Sequence, residues 1–214
     1  TSNGSVNGMH GSMMPGSQLV EMLNMQINSW FGGVGVGWMN YFTFIIIAVF
    51  ISGLMVGRTP EFLGKKIEAR EMKIASLVAL LHPFLILTGT ALATYLMVHA
   101  PHFVASEGGW IGNAGYHGLS EMFYELTSAA ANNGSGLEGL IDNTSFWNVM
   151  TGIVMLMGRY LPIIGQVAIA GILAEKKYIP EGAGTLKTDT STFAVMTLAV
   201  IFIVAALSFF PAHA

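Results

Sequence analysis

The chain has 214 residues, of which 53% are hydrophobic and only 10% charged, with a formal net charge of -3 and a mean hydropathy of +0.60. Soluble domains carry roughly 25% charged residues to cover a water-facing surface, so this composition excludes an ordinary soluble domain and makes lipid the solvent for much of the chain. The acidic balance argues against a nucleic-acid partner, which needs clustered Lys and Arg, and the absence of Cys removes disulfides, thiolate metal sites and cysteine nucleophiles.

The opening Thr1-Ser2-Asn3-Gly4 has neither Met nor a signal-peptide pattern and reads as the start of a piece of a longer chain. A helix running from Ser17 to Val56 would be about 60 Å long at 1.5 Å per residue, twice the hydrocarbon core of roughly 30 Å. It therefore has to break, and Phe31-Gly32-Gly33-Val34-Gly35-Val36-Gly37 supplies the break. Backbone groups freed there need protein or water, which predicts a loop against a cavity that closes the cytoplasmic side of a pore. The alternative is a plain corner at the interface.

Four apolar stretches are long enough to cross a bilayer: 38–56, 74–98 (interrupted by His82-Pro83), 145–174 (with Arg159 inside) and 190–210. Of the nine basic residues, Arg58, Lys65, Lys66, Arg70, Lys73, Lys176, Lys177 and Lys187 fall in the loops after the first and third spans. By the positive-inside rule those loops are cytoplasmic and the C-terminus lies outside. The mixed signs of the loop 57–73 predict a short cytoplasmic helix, either a solvated charged face or a docking surface for a partner.

Between the second and third spans, residues 119–131 read as a helix of about 20 Å, half a bilayer. The small, polar, Gly-broken run from Thr127 to Gly136 follows it. This predicts a re-entrant hairpin, helix in and extended chain out. Asn3-Gly4-Ser5 and Asn133-Gly134-Ser135 repeat a tripeptide, each at the outer end of an inward-running segment. Replacing the water around K⁺ takes a ring of oxygens, and extended backbone with small side chains can supply carbonyls. Glycine permits the dihedrals, and a helix aimed C-terminus first adds about half a negative charge. A re-entrant loop that only packs helices together is the competing reading. Arg159 costs about 2.5–3.5 kcal/mol at mid-span. It answers either a structural partner or an ion path. No P-loop appears. His99 and His102 flank Pro101 and suit solvated interfacial positions better than a metal site. No catalytic set converges, so no enzyme is expected.

Three stretches carry a family resemblance: Gly53 to Lys73, Thr127 to Ser135, and Phe31 to Gly35. They closely resemble the potassium-binding and translocating subunit of the bacterial Kdp system, a potassium-transporting ATPase, and the similarity extends over essentially the whole chain. The resemblance implies an all-α membrane protein with four transmembrane helices, a re-entrant pore helix and a filter loop, from the four-repeat membrane–pore-loop–membrane superfamily. Residues 1–73 would end the third repeat, 74–189 would form the fourth, and 190–214 the final helix. It implies K⁺ filter positions at Thr1, Ser2, Asn3, Gly4, Asn132, Asn133, Gly134 and Ser135, a gate at Gly32, Gly33, Gly35 and Gly37, and a pore charge at Arg159. It further implies a bacterial inner-membrane location. The expected partners are a P-type subunit that hydrolyses ATP, a small single-span subunit, a very short hydrophobic one, and the N-terminal half of the same subunit. One departure is that Asn28-Ser29-Trp30 lacks the acid expected there, which weakens the case for a local ion pair with Arg159. An ion-motive-force-driven transporter of the same superfamily and a non-transporting truncated scaffold are the alternatives.

Overall fold

The computed structural model describes residues 3–29, 32–104, 111–113, 115–180, 182 and 184–213. After a single 3-10 turn at His10–Ser12 come helices α1 (Pro15–Ile27) and α2 (Val36–Val56), then the strands β1 (Glu61–Phe62) and β2 (Lys65–Lys66). Helices α3 (Ala69–His99), α4 (Pro101–Val104), α5 (Tyr116–Ala131), α6 (Ser145–Glu175) and α7 (Ser191–His213) follow. Among the described residues α2, α3, α6 and α7 are long and apolar enough to cross a membrane, in agreement with the four stretches read from the sequence.

Local chemistry fixes the helix ends. Pro15 opens α1, where its missing N–H costs nothing. Thr144 and Thr190 cap α6 and α7 by accepting hydrogen bonds from the backbone N–H of Trp147 (3.3 Å) and Phe193 (3.2 Å). Gly57, left-handed at φ 69°, closes α2, and Arg58 N–H donates back to Gly53 O at 2.8 Å. Helix α3 continues through His82-Pro83, where the sequence suggests an interruption, because one lost backbone bond does not outweigh an apolar helix packed along its length.

The loop after α2 differs from the expected short helix. It forms a two-stranded antiparallel hairpin, Glu61 opposite Lys66 and Phe62 opposite Lys65. Leu63 and Gly64 both take positive φ, 52° and 69°, the tight-turn geometry whose twist matches paired strands. A side chain at position 64 would strike the ring of Tyr178, and Ile179 N–H donates to Gly64 O at 2.8 Å. Mixed charge at 61–73 therefore marks a hairpin and the first turn of α3.

The chain divides into two compact units. The first comprises Thr1–Gly33 and His82–Tyr160. Its core is α5, whose Tyr124, Met122 and Leu126 are fully enclosed, together with Met25 of α1, Ile86 of α3 and Trp147 of α6. A Cβ on Gly89 would lie 2.9 Å from Met150 and 3.0 Å from Leu126, so α3, α5 and α6 pack in close contact there.

The second unit comprises Val34–Leu81 and Leu161–Ala214. Ile46, Val49, Ile67, Ala75, Ile169 and Val200 form its core. Lys176 reaches the buried Glu71 and the exposed Glu68, both at 2.9 Å. Glu71 also accepts the Glu68 N–H at 2.7 Å, its side chain reaching back to cap the first turn of α3. The Lys176 hydrogen bond holds the Glu68 carboxyl below its usual range. Burial opposes the charge on Lys176, but the hydrogen bonds it donates to Glu71 and Glu68 outweigh it and raise its pKa.

Candidate functional site: two facing Asn-Gly-Ser turns

Helix α5 is 16 residues long, about 24 Å at 1.5 Å per residue and short of a full span. All of its last six residues are buried. Three are alanines, which let neighbouring backbones approach. A Cβ on Gly158 of α6 would sit 2.5 Å from Ala130 O, so the C-terminal end of α5 lies directly against α6. Arg159, half-buried, is the next residue along α6.

Asn132 ends α5 in the left-handed conformation, φ 55° and ψ 39°, which Asn tolerates better than most residues. Its N–H donates to Ala129 O at 3.0 Å, and Asn133 N–H donates to Ser128 O at 2.9 Å. The Asn132 side-chain amide donates to Ala129 O, Ala130 O and, across to α6, Met155 O at 3.2 Å. Extended chain follows without helix, the in-and-out hairpin expected from the sequence. Gly134 has φ 95°, beyond the reach of ordinary side chains, and a Cβ there would point into open space. Its N–H donates to Ser128 Oγ at 2.9 Å. Backbone geometry, not crowding, therefore requires glycine at 134.

The repeated tripeptide makes the same Asn-to-Ser bond twice, although only Gly134 of the two central glycines is left-handed. Asn133 Oδ1 accepts the Ser135 N–H at 2.8 Å, and Asn3 Oδ1 accepts the Ser5 N–H at 3.1 Å. Each is an Asx turn, an Asn side chain closing a ring onto the backbone two residues on. The two turns also meet. Asn133 Nδ2 donates to Asn3 O at 3.3 Å, and a Cβ on Gly4 would lie 2.7 Å from Asn133 O and 2.8 Å from Gly134 C. Of the expected filter positions, Asn3, Gly4, Asn132, Asn133, Gly134 and Ser135 are thus brought together, while Thr1 and Ser2 lie outside the described residues.

Residues that the sequence reading passed over support this site. Tyr124 O–H lies 2.9 Å from Ser135 Oγ and 2.8 Å from His10 Nδ1. Gln18, buried, donates to His10 O at 3.0 Å and Met13 O at 3.2 Å. Glu138 accepts the Gly11 N–H at 2.6 Å. Glu121, fully buried, accepts from Asn113 Nδ2 at 2.7 Å and lies 3.7 Å from His117. Only the i,i+4 spacing of His117 and Glu121 is visible in sequence. His10 and Tyr124 are 114 positions apart.

The glycine run is the expected break, although the helix stops earlier, at the left-handed Asn28 with φ 42°. Gly33 and Gly35 both have φ 82°, Gly35 caps α2, and Gly33–Gly35 are exposed. Gly32 and Gly37 are buried. Among the described residues no group of three or more His, Cys, Asp or Glu side chains is placed to hold a metal ion.

Comparison with known proteins bears on the whole chain. The family described as "Potassium-transporting ATPase A subunit" matches residues 1–214. A protein of Phocaeicola vulgatus named "Potassium-transporting ATPase potassium-binding subunit" is 80% identical over 214 residues, all of this chain and 38% of that protein. Proteins of the same name from Bacteroides fragilis and Geobacillus kaustophilus are 76% and 54% identical, over 100% and 97% of this chain and 38% and 36% of their own lengths. The chain thus spans less than two-fifths of the curated relatives it matches. A match from the first residue to the last, on a fold that combines four long apolar helices with a half-length helix and its polar turn, places this chain in the potassium-transporting ATPase A subunit family.

Proposed function

We propose that this chain supplies two of the walls of a K⁺-selective filter in the potassium-binding subunit of an ATP-driven uptake pump. The observation that carries the reading is the pair of Asn-Gly-Ser turns, each closed by its Asn side chain and set against each other at the C-terminal end of a half-length helix. In it, residues 1–73 end the third pore repeat, 74–189 make the fourth, and 190–214 are the last helix. K⁺ arrives from outside and exchanges water for backbone carbonyls around Gly4 and Gly134. The α5 dipole adds about half a negative charge at the turn. Neutral oxygens suit an ion that must leave again, because a carboxylate would hold it more tightly.

Below the filter, Arg159 limits how far a cation falls toward the cytoplasm, and the glycine run of Gly32, Gly33, Gly35 and Gly37 obstructs the direct route. ATP hydrolysis belongs to a P-type partner subunit, with a single-span and a very short hydrophobic subunit completing the complex. The subunit lies in the bacterial cytoplasmic membrane with its C-terminus outside, and the basic hairpin loop faces the cytoplasm.

The test is ion competition in the full-length subunit within its complex. Gly134→Asp should weaken K⁺ uptake and admit Na⁺ or Rb⁺ more readily. An unchanged ion preference in a protein that still transports would count decisively against the filter assignment.

A further inference from the structure

His10 touches no candidate ion ligand directly, yet its hydrogen bond to Tyr124 leads to one. Asn133 sets the direction. Its Nδ2 donates to Asn3 O, so its Oδ1 is the acceptor, and that oxygen receives both the Ser135 N–H at 2.8 Å and the Ser135 O–H at 2.6 Å. Ser135 has one hydroxyl hydrogen and has now spent it, so Ser135 Oγ must accept from Tyr124 O–H at 2.9 Å. Tyr124 also has one hydrogen, and its oxygen is left to accept from His10 Nδ1 at 2.8 Å. Every link therefore runs one way, from His10 through Tyr124, Ser135 and Asn133 to the carbonyl of Asn3.

The far end of the chain agrees. Glu21 Oε2 lies 3.5 Å from the same His10 Nδ1, and no hydrogen bond among the described residues reaches that oxygen. A carboxylate beside Nδ1 favours a hydrogen on Nδ1, in the neutral ring and the imidazolium alike. The 3-10 turn that carries His10 is held separately, by Gln18 on His10 O and Glu138 on Gly11 N–H. Its backbone does not depend on the ring. Tyr124 and Ser135 are both buried, so water does not substitute for the links they make.

We propose that His10 is a positioning residue for ion selection: its Nδ1–H starts a one-way hydrogen-bond relay that fixes the spacing of the two filter turns. The proposal rests on the filter reading above. It predicts that what matters at position 10 is a donor at the Nδ1 position, not charge or bulk. Asn carries an N–H at nearly that place. Asp carries only acceptors, so Tyr124 O–H turns toward it and Ser135 loses its donor.

The experiment is K⁺ against Rb⁺ competition in the full-length subunit within its complex, with Gly134→Asp as reference. His10→Asp and Tyr124→Phe should each reduce the preference for K⁺ on the order of tenfold, the weight of one or two buried hydrogen bonds. The double variant should be no worse than either alone, because both break one chain. His10→Asn should stay within about twofold of the parent, since the donor is kept. If Gly134→Asp leaves ion preference unchanged, the filter reading itself fails. If Gly134→Asp changes it but Tyr124→Phe does not, or if His10→Asn is as damaging as His10→Asp, the relay is overturned. Should His10→Asp fail to assemble, Tyr124→Phe paired with Ser135→Ala decides the matter by the same criterion.

Discussion

Gly4 gives the sharpest quantitative prediction, because its constraint is contact and not dihedral. A methyl at Gly4 would lie 2.7 Å from Asn133 O, 2.8 Å from Gly134 C and 3.0 Å from Ser135 N. All three neighbours are backbone, so no side chain can swing aside. Ordinary contact begins at 3.4 Å, so the two turns must part by about 0.7 Å, the difference between those distances. Overpacking of this kind costs about 1–3 kcal/mol, a factor of roughly five to 150 in an equilibrium at 1.4 kcal/mol per tenfold. K⁺ and Rb⁺ differ in radius by much less than the displacement, so the variant should lose discrimination before it loses uptake. The assay is K⁺ against Rb⁺ competition with Gly4→Ala in the full-length subunit. The matched control is Gly152→Ala on α6, where a Cβ meets nothing within 4 Å and alanine should be neutral or helix-stabilising. If Gly4→Ala transports with the parent's ion preference, the turns do not set selectivity through their spacing.

Four further outcomes are expected. Arg159→Gln should assemble and insert but alter transport, and parental transport kinetics would assign Arg159 a purely structural role. Lys176→Met leaves the fully buried Glu71 without its 2.9 Å partner; it should lower stability by about 3–5 kcal/mol in thermal melts, with Glu71→Gln in the same chain recovering most of the loss. Glu68 has a depressed pKa, so its contribution is complete above the ordinary Glu value of about 4.3 and is lost as pH falls below it; Lys176 has a raised pKa, so its contribution is lost only as pH climbs above about 10.4. Melting temperature should therefore drop between pH 6 and pH 3.5 by more in the parent than in Glu68→Gln, and equal drops would refute that assignment. Deleting Gly32–Gly37 should raise passive K⁺ leak in proteoliposomes without ATP, whereas an assembled and equally tight variant would make the segment a corner.

Much of the fold was legible because hydropathy in a membrane protein is a strong, local signal. The four spans appear within about five residues of where the long apolar runs place them. The half-length helix was legible from its length and from the small polar run after it. The hairpin at 61–66 was not, because its cause is the pairing of Leu63-Gly64 in left-handed turn geometry beneath the ring of Tyr178, more than a hundred residues away. Charge patterning in such a loop is equally compatible with helix. The same limit applied at the site. Asn-Gly-Ser was visible twice, but the relay through His10 and Tyr124 joins residues that no periodicity connects.

Hydrogen-bond accounting also sorts the carbonyls at the two turns. Those of Ser128, Ala129 and Ala130 are engaged by the N–H groups and side chain of Asn132 and Asn133, which close the end of α5. Asn3 O receives Asn133 Nδ2. Gly4 O and Gly134 O receive no hydrogen bond among the described residues. Each belongs to the residue enclosed by an Asx turn, whose ring of hydrogen bonds holds the backbone without using that oxygen. The Asn and Ser side chains thus spend their polarity on the frame and leave the two glycine carbonyls unengaged among the described residues. Asn133→Asp should be more damaging than Asn133→Ala: alanine removes the donor to Asn3 O and the acceptor of the Asx turn together, whereas the acid keeps the acceptor but sets an uncompensated charge against Asn3 O where a donor stood. Ion competition on the two variants would measure the difference, and the reverse order would mean that Asn133 binds the ion through its side chain.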